Sequence, residues 1–437
     1  MATTTASGKA PKKTGRSAPP GLDAPVFADL SPRLAIVRIA CDTGNANTKV
    51  AVEITLVFPQ NGSITEQSLA SQEFFVPSYL FESPSPSISV HQTPGNTAFE
   101  IVSSGAADSE AVAGVWATGD AAFASGGESD SIFIGKNGEF KAKYALQMVG
   151  GIVLSVLPQS VNRVAVFAGT SAHKRNLADA IGTQLKGEHL FRRLATHSSR
   201  EVFSPECRMT IAPMFIPESF GGALGGYLDH PDEIGTKAYI ALDLGGGTSQ
   251  AMKGKEGLVL GDAFSGRLII PSVNGNKLIQ TFANSEAVGN ALGAGRAMGA
   301  QSFSGIRDAL YEAQQSEQVV YAGEDLTALW KEHVESAVKR LALELQEFEN
   351  EFGLANAPIV GFGGTWLHLH FTEAAQMQFS YGVDEGGKPR TRVFIADDPL
   401  FSNCRSNLAT VEEEFAEEIE QQLEDFKSEL QELGKAE

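Results

Sequence analysis

Cysteine, basic residues and long apolar runs are all scarce in this chain of 437 residues. Its three cysteines, Cys41, Cys207 and Cys404, form no Cys-x-x-Cys pair, so neither a disulfide framework nor a cysteine zinc site is supported. The 34 lysines and arginines face 53 acidic residues, and the net charge of −19 disfavours a surface that coats nucleic acid or anionic lipid. The longest nearly uncharged run, residues 145–157, is shorter than the roughly 20 residues that cross a bilayer. We therefore expect a cytoplasmic protein with no direct nucleic-acid contact and no membrane partner.

The composition is that of a globular chain, with 42% apolar residues and enough length for two or three packed units. Residues 1–30 are rich in alanine, threonine, serine, proline and lysine, and we expect them to form a flexible tail. From residue 34 onward, apolar strand-like segments alternate with helix-like segments, which predicts α/β layers. The expected strands are 34–40, 50–54, 163–168, 236–242 and 358–362, and the expected helices are 141–157, 174–186 and 325–351.

An internal repeat stands at the ends of two of these strands. Asp42-Thr43-Gly44 and Asp243-Leu244-Gly245 each place Asp-x-Gly directly after an apolar strand, with small residues following. Glycines permit a tight turn and bring backbone N–H groups close to phosphate oxygens. An aspartate held at a strand end can reach Mg²⁺, usually through the waters of the ion. Two such turns could hold a triphosphate from both sides.

One Asp-x-Gly alone indicates no more than an ordinary turn, because aspartate and glycine are common turn residues. A third glycine-rich strand end, Gly361-Phe362-Gly363-Gly364-Thr365, strengthens the nucleotide interpretation of the pair. The sequence has no Gly-x-x-x-x-Gly-Lys-Ser/Thr motif, which excludes a P-loop site.

Together the three motifs resemble those of the ATPase superfamily of actin, the heat-shock chaperones and the sugar kinases. The segment from Asp42 to Lys49 resembles its first phosphate motif, the segment from Asp243 to Thr248 its second, and the segment from Gly361 to Thr365 its adenosine motif. The resemblance spans about residues 34–410. It implies an α/β, actin-like fold in which two lobes, each a mixed β-sheet flanked by helices, hold a nucleotide in the cleft between them.

Shorter stretches resemble the bacterial ParM type, the actin-like ATPases that segregate plasmids. Pro217-Glu218-Ser219 is similar to a Pro-Glu-Ser stretch that precedes the second phosphate loop in that family, and Glu218 lies 25 residues before Asp243. Residues 401–408 resemble its Phe-Ala-Asn-x-x-Gly stretch, although Ser406 stands at the position of the glycine.

The resemblance implies ATP and Mg²⁺ as cofactors. Asp42 and Asp243 would be the metal-side carboxylates, and Lys49 would offset phosphate charge. Glu218 and Asp243 are the candidate catalytic residues, with Glu218 orienting or deprotonating the attacking water. The nucleotide-binding positions would be Asp42, Thr43, Gly44, Asn45, Asn47, Lys49, Gly245, Gly246, Gly247, Thr248, Gly363, Gly364 and Thr365.

The implied function is an ATPase that polymerises with itself into filaments, controls assembly by hydrolysis, and serves plasmid or DNA segregation. A DNA-binding adaptor protein would then contact the DNA, in keeping with the net charge of −19. Two alternatives stay open: a small-molecule kinase of the same superfamily, and a bacterial cytoskeletal filament that has no part in DNA segregation.

The expected domains are a first lobe over 31–235 with an inserted subdomain at about 65–135, a second lobe over 236–364, and a return to the first lobe over 365–437. The last 27 residues hold eleven acidic residues against two lysines, yet apolar residues recur among them every three or four positions. That spacing predicts one amphipathic helix. Its stripe could dock on the first lobe of this chain or on a neighbouring subunit or partner helix.

Overall fold

The computed structural model describes residues 33–44, 47–60, 63–85, 90–105, 113–136, 138–172, 174–194, 205–259, 267–293, 300–383, 386 and 389–436. The expected tail 1–30 and the candidate residue Asn45 lie outside these residues. None of the described helices combines the length and the apolar character needed to span a membrane.

The strands and helices are numbered here in chain order. The strands are β1 (Arg33–Thr43), β2 (Asn47–Gln60), β3 (Ser63–Ser68), β4 (Gln72–Pro77), β5 (Tyr79–Ser83), β6 (Thr97–Ser104), β7 (Gly114–Thr118), β8 (Ile132–Phe133), β9 (Val161–Ala172), β10 (Gly187–Arg193), β11 (Glu206–Pro217), β12 (Ala238–Leu244), β13 (Ser249–Lys255), β14 (Leu258–Val259), β15 (Arg267–Ile269), β16 (Val320–Tyr321), β17 (Glu324–Asp325), β18 (Ile359–Phe362), β19 (Ser380–Val383), β20 (Pro389–Thr391) and β21 (Val393–Ile395). The helices are α1 (Asp120–Asp130), α2 (Gly138–Lys143), α3 (Ala145–Val156), α4 (Arg175–Leu185), α5 (Phe220–Asp229), α6 (Pro231–Ile234), α7 (Gly275–Ala283), α8 (Glu286–Ala291), α9 (Ala300–Ser316), α10 (Thr327–Phe352), α11 (Phe371–Gln378), α12 (Ser402–Glu414) and α13 (Ala416–Ala436).

Strands β1, β9 and β11 are the parallel centre of the first sheet, whose order is β3-β2-β1-β9-β11-β10-β6-β7-β5-β8, with β4 also paired to β2. Strand β1 is apolar and buried along most of its length, as expected of a central strand covered on both faces. Strands β1 and β2 form the predicted hairpin, in which Asp42 stands opposite Lys49. The segment expected as an insertion at about 65–135 contributes β6, β7, β5 and β8, which extend this sheet beyond β10.

The helix expected over 141–157 is divided in two, because the backbone leaves helical geometry at Tyr144. The Tyr144 ring packs beside Trp116 and Phe140, with ring centroids 5.9 Å away in each contact. Helix α3 is buried at every residue and builds the main core of this lobe together with α4. A tertiary aromatic contact therefore sets a break that the apolar spacing did not indicate.

The second sheet has the order β14-β13-β12-β18-β21, with β15 also paired to β13. Helices α7, α10 and α11 cover one face of it, and α5 and α6 contribute to the core on the other. Residues 220–234 and 371–396 therefore pack with this sheet, so the boundaries expected at 235 and 364 are both displaced. The later boundary moves because β21 adds a third parallel strand beside β18, and its three residues are too short to stand out in the sequence.

Helices α5 and α12 join the two lobes. Helix α12 packs on β1 of the first lobe, whereas α5 packs under the second sheet. A Cβ atom on Gly225 of α5 would lie 2.4 Å from Ser402 Oγ and 2.8 Å from Ser406 Oγ of α12. Ser406, which stands at the glycine position of the ParM-like stretch, is thus accommodated by a glycine on the facing helix.

The C-terminal stripe belongs to two helices and not to one, because the chain breaks at Phe415 between α12 and α13. The Phe415 ring packs against Phe167 of β9, with centroids 5.2 Å apart. Further along, Phe426 and Leu430 of α13 are buried in a core with residues of β1, β2 and β9. The stripe therefore docks on the first lobe of this same chain, which was the first of the two alternatives.

Replacing Phe426 with alanine should destabilise the protein by about 3–5 kcal/mol, the usual cost of removing a buried aromatic side chain. The Phe426 side chain is 1% exposed and also lies under the guanidinium of Arg163, 5.5 Å from the ring centroid. Leu433 lies on the same helix but is 46% exposed, so Leu433→Ala is a matched control that should change stability by no more than about 0.5 kcal/mol. Urea unfolding of both variants measures the difference. Equal midpoints would mean that α13 does not dock on its own lobe.

Candidate functional site

Two glycine turns with the same closing hydrogen bond stand at the ends of β1 and β12. Gly44 N–H donates to the Asn47 carbonyl over 3.0 Å in the first turn, and Gly245 N–H donates to the Thr248 carbonyl over 2.9 Å in the second. A Cβ atom on either glycine would lie within 2.9 Å of that same carbonyl oxygen, so each turn requires glycine. The internal repeat is therefore a repeat of backbone geometry, with one copy in each lobe.

Asp42 is the buried carboxylate of the first turn. Ser171 Oγ, from the end of the neighbouring strand β9, donates to Asp42 Oδ1 over 3.2 Å, and Lys49 Nζ donates to Oδ2 over 3.3 Å. Burial raises the pKa of Asp42, but the charges of Lys49 and Lys141 and a hydrogen bond from Asn403 lower it further, so the net pKa is below its ordinary value. Asp42 is therefore ionised at neutral pH.

Asp243 is the corresponding carboxylate of the second turn. Ser219 Oγ donates to its Oδ2 atom, and a Cβ atom on Gly363 would lie 2.7 Å from its Oδ1 atom. Burial raises the pKa of Asp243 to about 6; Lys49 and the Ser219 hydrogen bond lower it, and the charges of Asp42 and Glu218 raise it. The Gly363 backbone therefore approaches Oδ1 closely, and a side chain at this position would clash with the carboxylate and with the Leu244 carbonyl.

Lys49 brings the two turns into one electrostatic group. Burial alone would lower the pKa of its ammonium group, but the carboxylates of Asp42 and Asp243 raise it further, so the net pKa lies above the ordinary value. The side chain is 20% exposed and therefore does not extend freely into solvent. An ammonium group that pairs with Asp42 and is also acted on by the charge of Asp243 is suited to meeting a polyanion in the cleft.

Glu218 and Ser219 form the turn between β11 of the first lobe and α5. Glu218 N–H donates to the carbonyl of Ala172, the last residue of β9, over 3.2 Å, and the Glu218 side chain is half-buried. The charge of Glu218 acts on both Asp243 and Arg267. Glu218 thus directly precedes Ser219, which contacts the carboxylate of the second turn. Its water-orienting role stays a prediction.

The third glycine-rich segment is hydrogen-bonded to the second turn. Thr365 Oγ1 donates to the Gly245 carbonyl over 2.9 Å, and Gly363 adopts a positive φ of 97°. The first residues of α7 also approach this turn, since Gly275 N–H donates to the Gly245 carbonyl and Asn276 N–H to the Gly246 carbonyl. Gly364 stands next to Gly363, while Gly247 and Thr248 complete the turn before β13.

Several side chains that hold this site are not among the candidates from sequence. Ser171 contacts Asp42, and Asn403 hydrogen-bonds both Asp42 and the N–H of Gly222. Gln250 and Arg267 lie behind Ser219. The sequence could have indicated Ser171, because it lies one residue before the end of β9, which runs parallel to β1. Side chains at the carboxyl ends of parallel strands gather at the same edge of a sheet.

The first turn is also supported from the side. Ser78 Oγ donates to the Gly44 carbonyl over 3.3 Å and lies 3.2 Å from Thr48 Oγ1. Thr43 and Asn47 flank the turn at the ends of the two strands. Ser78 therefore holds the first turn through its backbone and through its neighbour Thr48.

The described part of the chain contains no cluster of three or more histidine, cysteine, aspartate or glutamate residues that could hold a metal ion. Mg²⁺ does not require one, since it commonly keeps several waters and takes one or two carboxylates together with substrate phosphates. Asp42 and Asp243 supply two hard oxygen donors, each at the end of a strand that leads into a glycine turn. The residues present therefore fit Mg²⁺ bound together with a nucleotide.

No protein-family model matches the sequence, and no curated protein matches it. Solved structures do match the fold. Bacillus thuringiensis ParM with ATP aligns over 87% of this chain and 99% of its own, with a TM-score of 0.56 and 16% identity. The actin-like protein Alp7A covers 89% and 99% with a TM-score of 0.59 and 12% identity, and the archaeal actin homologue Ta0583 covers 87% and 99% with 0.56 and 13%. This chain therefore has the actin-like fold, in a form similar to ParM.

Proposed function

We propose that this chain is an actin-like ATPase that binds Mg-ATP between its lobes, polymerises into filaments, and uses hydrolysis to control assembly. The observation that carries the proposal is the group formed by Asp42, Lys49 and Asp243, in which carboxylates from both lobes act on one ammonium group. Each carboxylate stands beside a glycine turn of the same geometry. The similar ParM structures with ATP and with ADP support a nucleotide as the ligand.

In this proposal the two turns hold the phosphates. Backbone N–H groups from Thr43 to Asn47 and from Gly245 to Thr248 contact phosphate oxygens, which suits the concave geometry of glycine turns. Lys49 offsets phosphate charge, and Gly363, Gly364 and Thr365 contact the adenosine. Bound Mg²⁺ would neutralise charge on the phosphates, and Asp42 and Asp243 would hold its waters.

Hydrolysis requires an oriented water more than a strong nucleophile, because phosphoryl transfer depends mainly on positioning and charge stabilisation. Glu218 carries a carboxylate on a turn fixed by its own backbone hydrogen bond to Ala172. Its charge acts on Asp243 and Arg267, and the next residue, Ser219, donates to Asp243, which supports a role for Glu218 at the second turn. Glu218 would accept a hydrogen bond from the attacking water and direct its lone pair at the terminal phosphate.

The proposed cellular role is the segregation of plasmid or other DNA by these filaments. Similarity of fold to ParM supports this role, and the net charge of −19 favours contact with DNA through a basic adaptor protein and not through the filament itself. The support for DNA segregation is the similarity of fold to ParM together with the net charge of −19.

Negative-stain electron microscopy combined with phosphate release tests the proposal. Purified protein with Mg-ATP should form filaments that shorten as phosphate accumulates, whereas a non-hydrolysable ATP analogue should give filaments that persist. Protein with ATP and EDTA is the control and should give neither filaments nor phosphate. Phosphate transfer to a small-molecule acceptor without filaments would identify the kinase alternative, and absence of nucleotide binding would overturn the proposal entirely.

A further inference from the structure

A chain of hydrogen bonds runs from Arg267 to Asp243 through two side chains to which the proposed function assigns no role. Arg267 Nη1 donates to Gln250 Oε1 over 3.2 Å, Gln250 Nε2 donates to Ser219 Oγ, and Ser219 Oγ donates to Asp243 Oδ2. Ser219 is fully buried and Gln250 is 4% exposed. The chain is therefore largely shielded from competing water.

The direction of this chain follows from the chemistry of its members. A guanidinium group can only donate, so the Gln250 atom that faces Arg267 must be the carbonyl oxygen. The amide nitrogen then faces Ser219 and can only donate, which makes the Ser219 oxygen an acceptor on that side. The Ser219 proton consequently goes to Asp243, whose carboxylate accepts it. Each step fixes the next, and the chain runs one way.

Ser219 has an unusual backbone conformation at the position where it donates to Asp243. Its φ is 72°, in the left-handed region that glycine adopts without strain. It also stands at the N-cap of α5, where a serine hydroxyl ordinarily accepts from a free N–H of the first turn, yet it makes no such bond. Asn403 Oδ1 accepts from the Gly222 N–H instead, over 2.9 Å. The Ser219 hydroxyl is thereby left for Asp243.

We propose that Ser219 is a positioning residue for Asp243. It holds the Oδ2 atom at the end of the one-way series of hydrogen bonds from Arg267 and Gln250, so that the Oδ1 atom keeps a fixed orientation beside the Gly363 backbone. The inference rests on the proposed function, because it concerns how the protein orients the Asp243 carboxylate for binding Mg-ATP. The same contact fixes Glu218, which precedes Ser219 in the turn, relative to Asp243. Ser219 thus fixes the positions of both proposed carboxylates: Asp243, which would hold the waters of the metal ion, and Glu218, which would orient the attacking water.

Ser219→Gly tests the proposal, because glycine accepts the backbone conformation and lacks the hydroxyl. Its melting temperature without nucleotide should stay near that of the unaltered protein, because relief of the backbone strain at φ 72° offsets the loss of the buried hydrogen bonds. Its kcat should fall about 10–100-fold, the usual scale for losing an outer group that orients a metal-side ligand. The gain in affinity for a fluorescent ATP analogue on adding Mg²⁺ should shrink by a similar factor, while the affinity in EDTA stays the same. Ser249→Ala removes a buried hydroxyl next in sequence to Gln250 and should change none of these values.

Gln250→Glu tests the direction of the chain. The variant keeps the shape of the side chain and its contact with Arg267, but it has no N–H to donate, so the Ser219 hydroxyl would turn from Asp243 to the new carboxylate. The Mg²⁺-dependent gain in affinity should again shrink. The added negative charge would by itself strengthen Mg²⁺ binding. A smaller Mg²⁺-dependent gain in affinity would therefore be due to the Ser219 hydroxyl turning away from Asp243.

Failure of this inference is distinguishable from failure of the proposed function. If the unaltered protein binds Mg-ATP but Ser219→Gly and Gln250→Glu show the same kcat and the same Mg²⁺-dependent affinity, the positioning role is wrong and the proposed function stands. If the two variants lose melting temperature but keep kcat and Mg²⁺ dependence, Ser219 and Gln250 are structural and the inference is overturned. If the unaltered protein does not bind Mg-ATP, both are overturned.

Discussion

Asp243→Asn should lower Mg-ATP turnover about 10²–10³-fold, the scale of removing one preorganised charge or donor from a transition state. Asparagine keeps the shape of the side chain but cannot hold the waters of a divalent cation as a carboxylate does. The measurement is steady-state phosphate release at saturating Mg-ATP. Ser249→Ala, which leaves every proposed ligand in place, is the matched control.

The same variant should not weaken the fold, and the pH dependence of stability checks this point. Burial gives Asp243 a pKa of about 6 in the folded chain against an ordinary value of 3.8, so the folded state binds this proton more tightly than the unfolded state. The stabilisation from Asp243 is therefore present below about pH 4 and is lost as the pH rises through 6. At pH 7, Asp243→Asn should melt at or above the temperature of the unaltered protein. A lower melting temperature would mean that lost turnover reflects misfolding.

Glu218→Ala should separate binding from hydrolysis. Since its proposed partner is the attacking water, nucleotide affinity should stay near that of the unaltered protein, while turnover should fall about 10²-fold or more, as for loss of a positioning base. Filaments formed with ATP should then persist long after addition. Phosphate release and time-resolved light scattering measure the two effects on one sample.

Glu206→Ala is the control for this variant, because Glu206 begins the same strand, β11, whose end leads into Glu218. Its side chain is 54% exposed at the far end of that strand, so its removal should leave turnover and filament lifetime unchanged. If filaments of Glu218→Ala disassemble as fast as those of the unaltered protein, Glu218 takes no part in hydrolysis.

Sequence could predict the parts of this site that depend on neighbouring residues. An apolar strand followed by Asp-x-Gly specifies both the turn and the carboxylate at its base, and the structure places Asp42 and Asp243 there. The actin-like fold, which the resemblance of the three motifs implied, is confirmed. The roles of the individual site residues remain predictions until the variants are measured.

The side chains that orient these carboxylates could not be predicted, because their partners are distant in the sequence. Ser171 lies 129 residues from Asp42, and Asn403 lies 181 residues from Gly222. The same limitation explains the helix ends. Breaks at Tyr144 and Phe415 are set by aromatic packing against residues of other elements, which the apolar spacing of a single helix does not contain.

The contact between α5 and α12 joins the two lobes at close range. Its glycines face serine and asparagine residues at close range: a Cβ atom on Gly221 would lie 2.3 Å from Asn407 Oδ1, and one on Gly225 would lie 2.4 Å from Ser402 Oγ. Asn403 lies in this contact. Its amide oxygen accepts a hydrogen bond from the Gly222 N–H of one lobe, and its side chain also hydrogen-bonds Asp42 of the other lobe. A displacement of Gly222 relative to α12 would therefore disturb the Asn403 side chain, which is also hydrogen-bonded to Asp42. Asn403 therefore connects the contact between the lobes with the carboxylate at the end of β1.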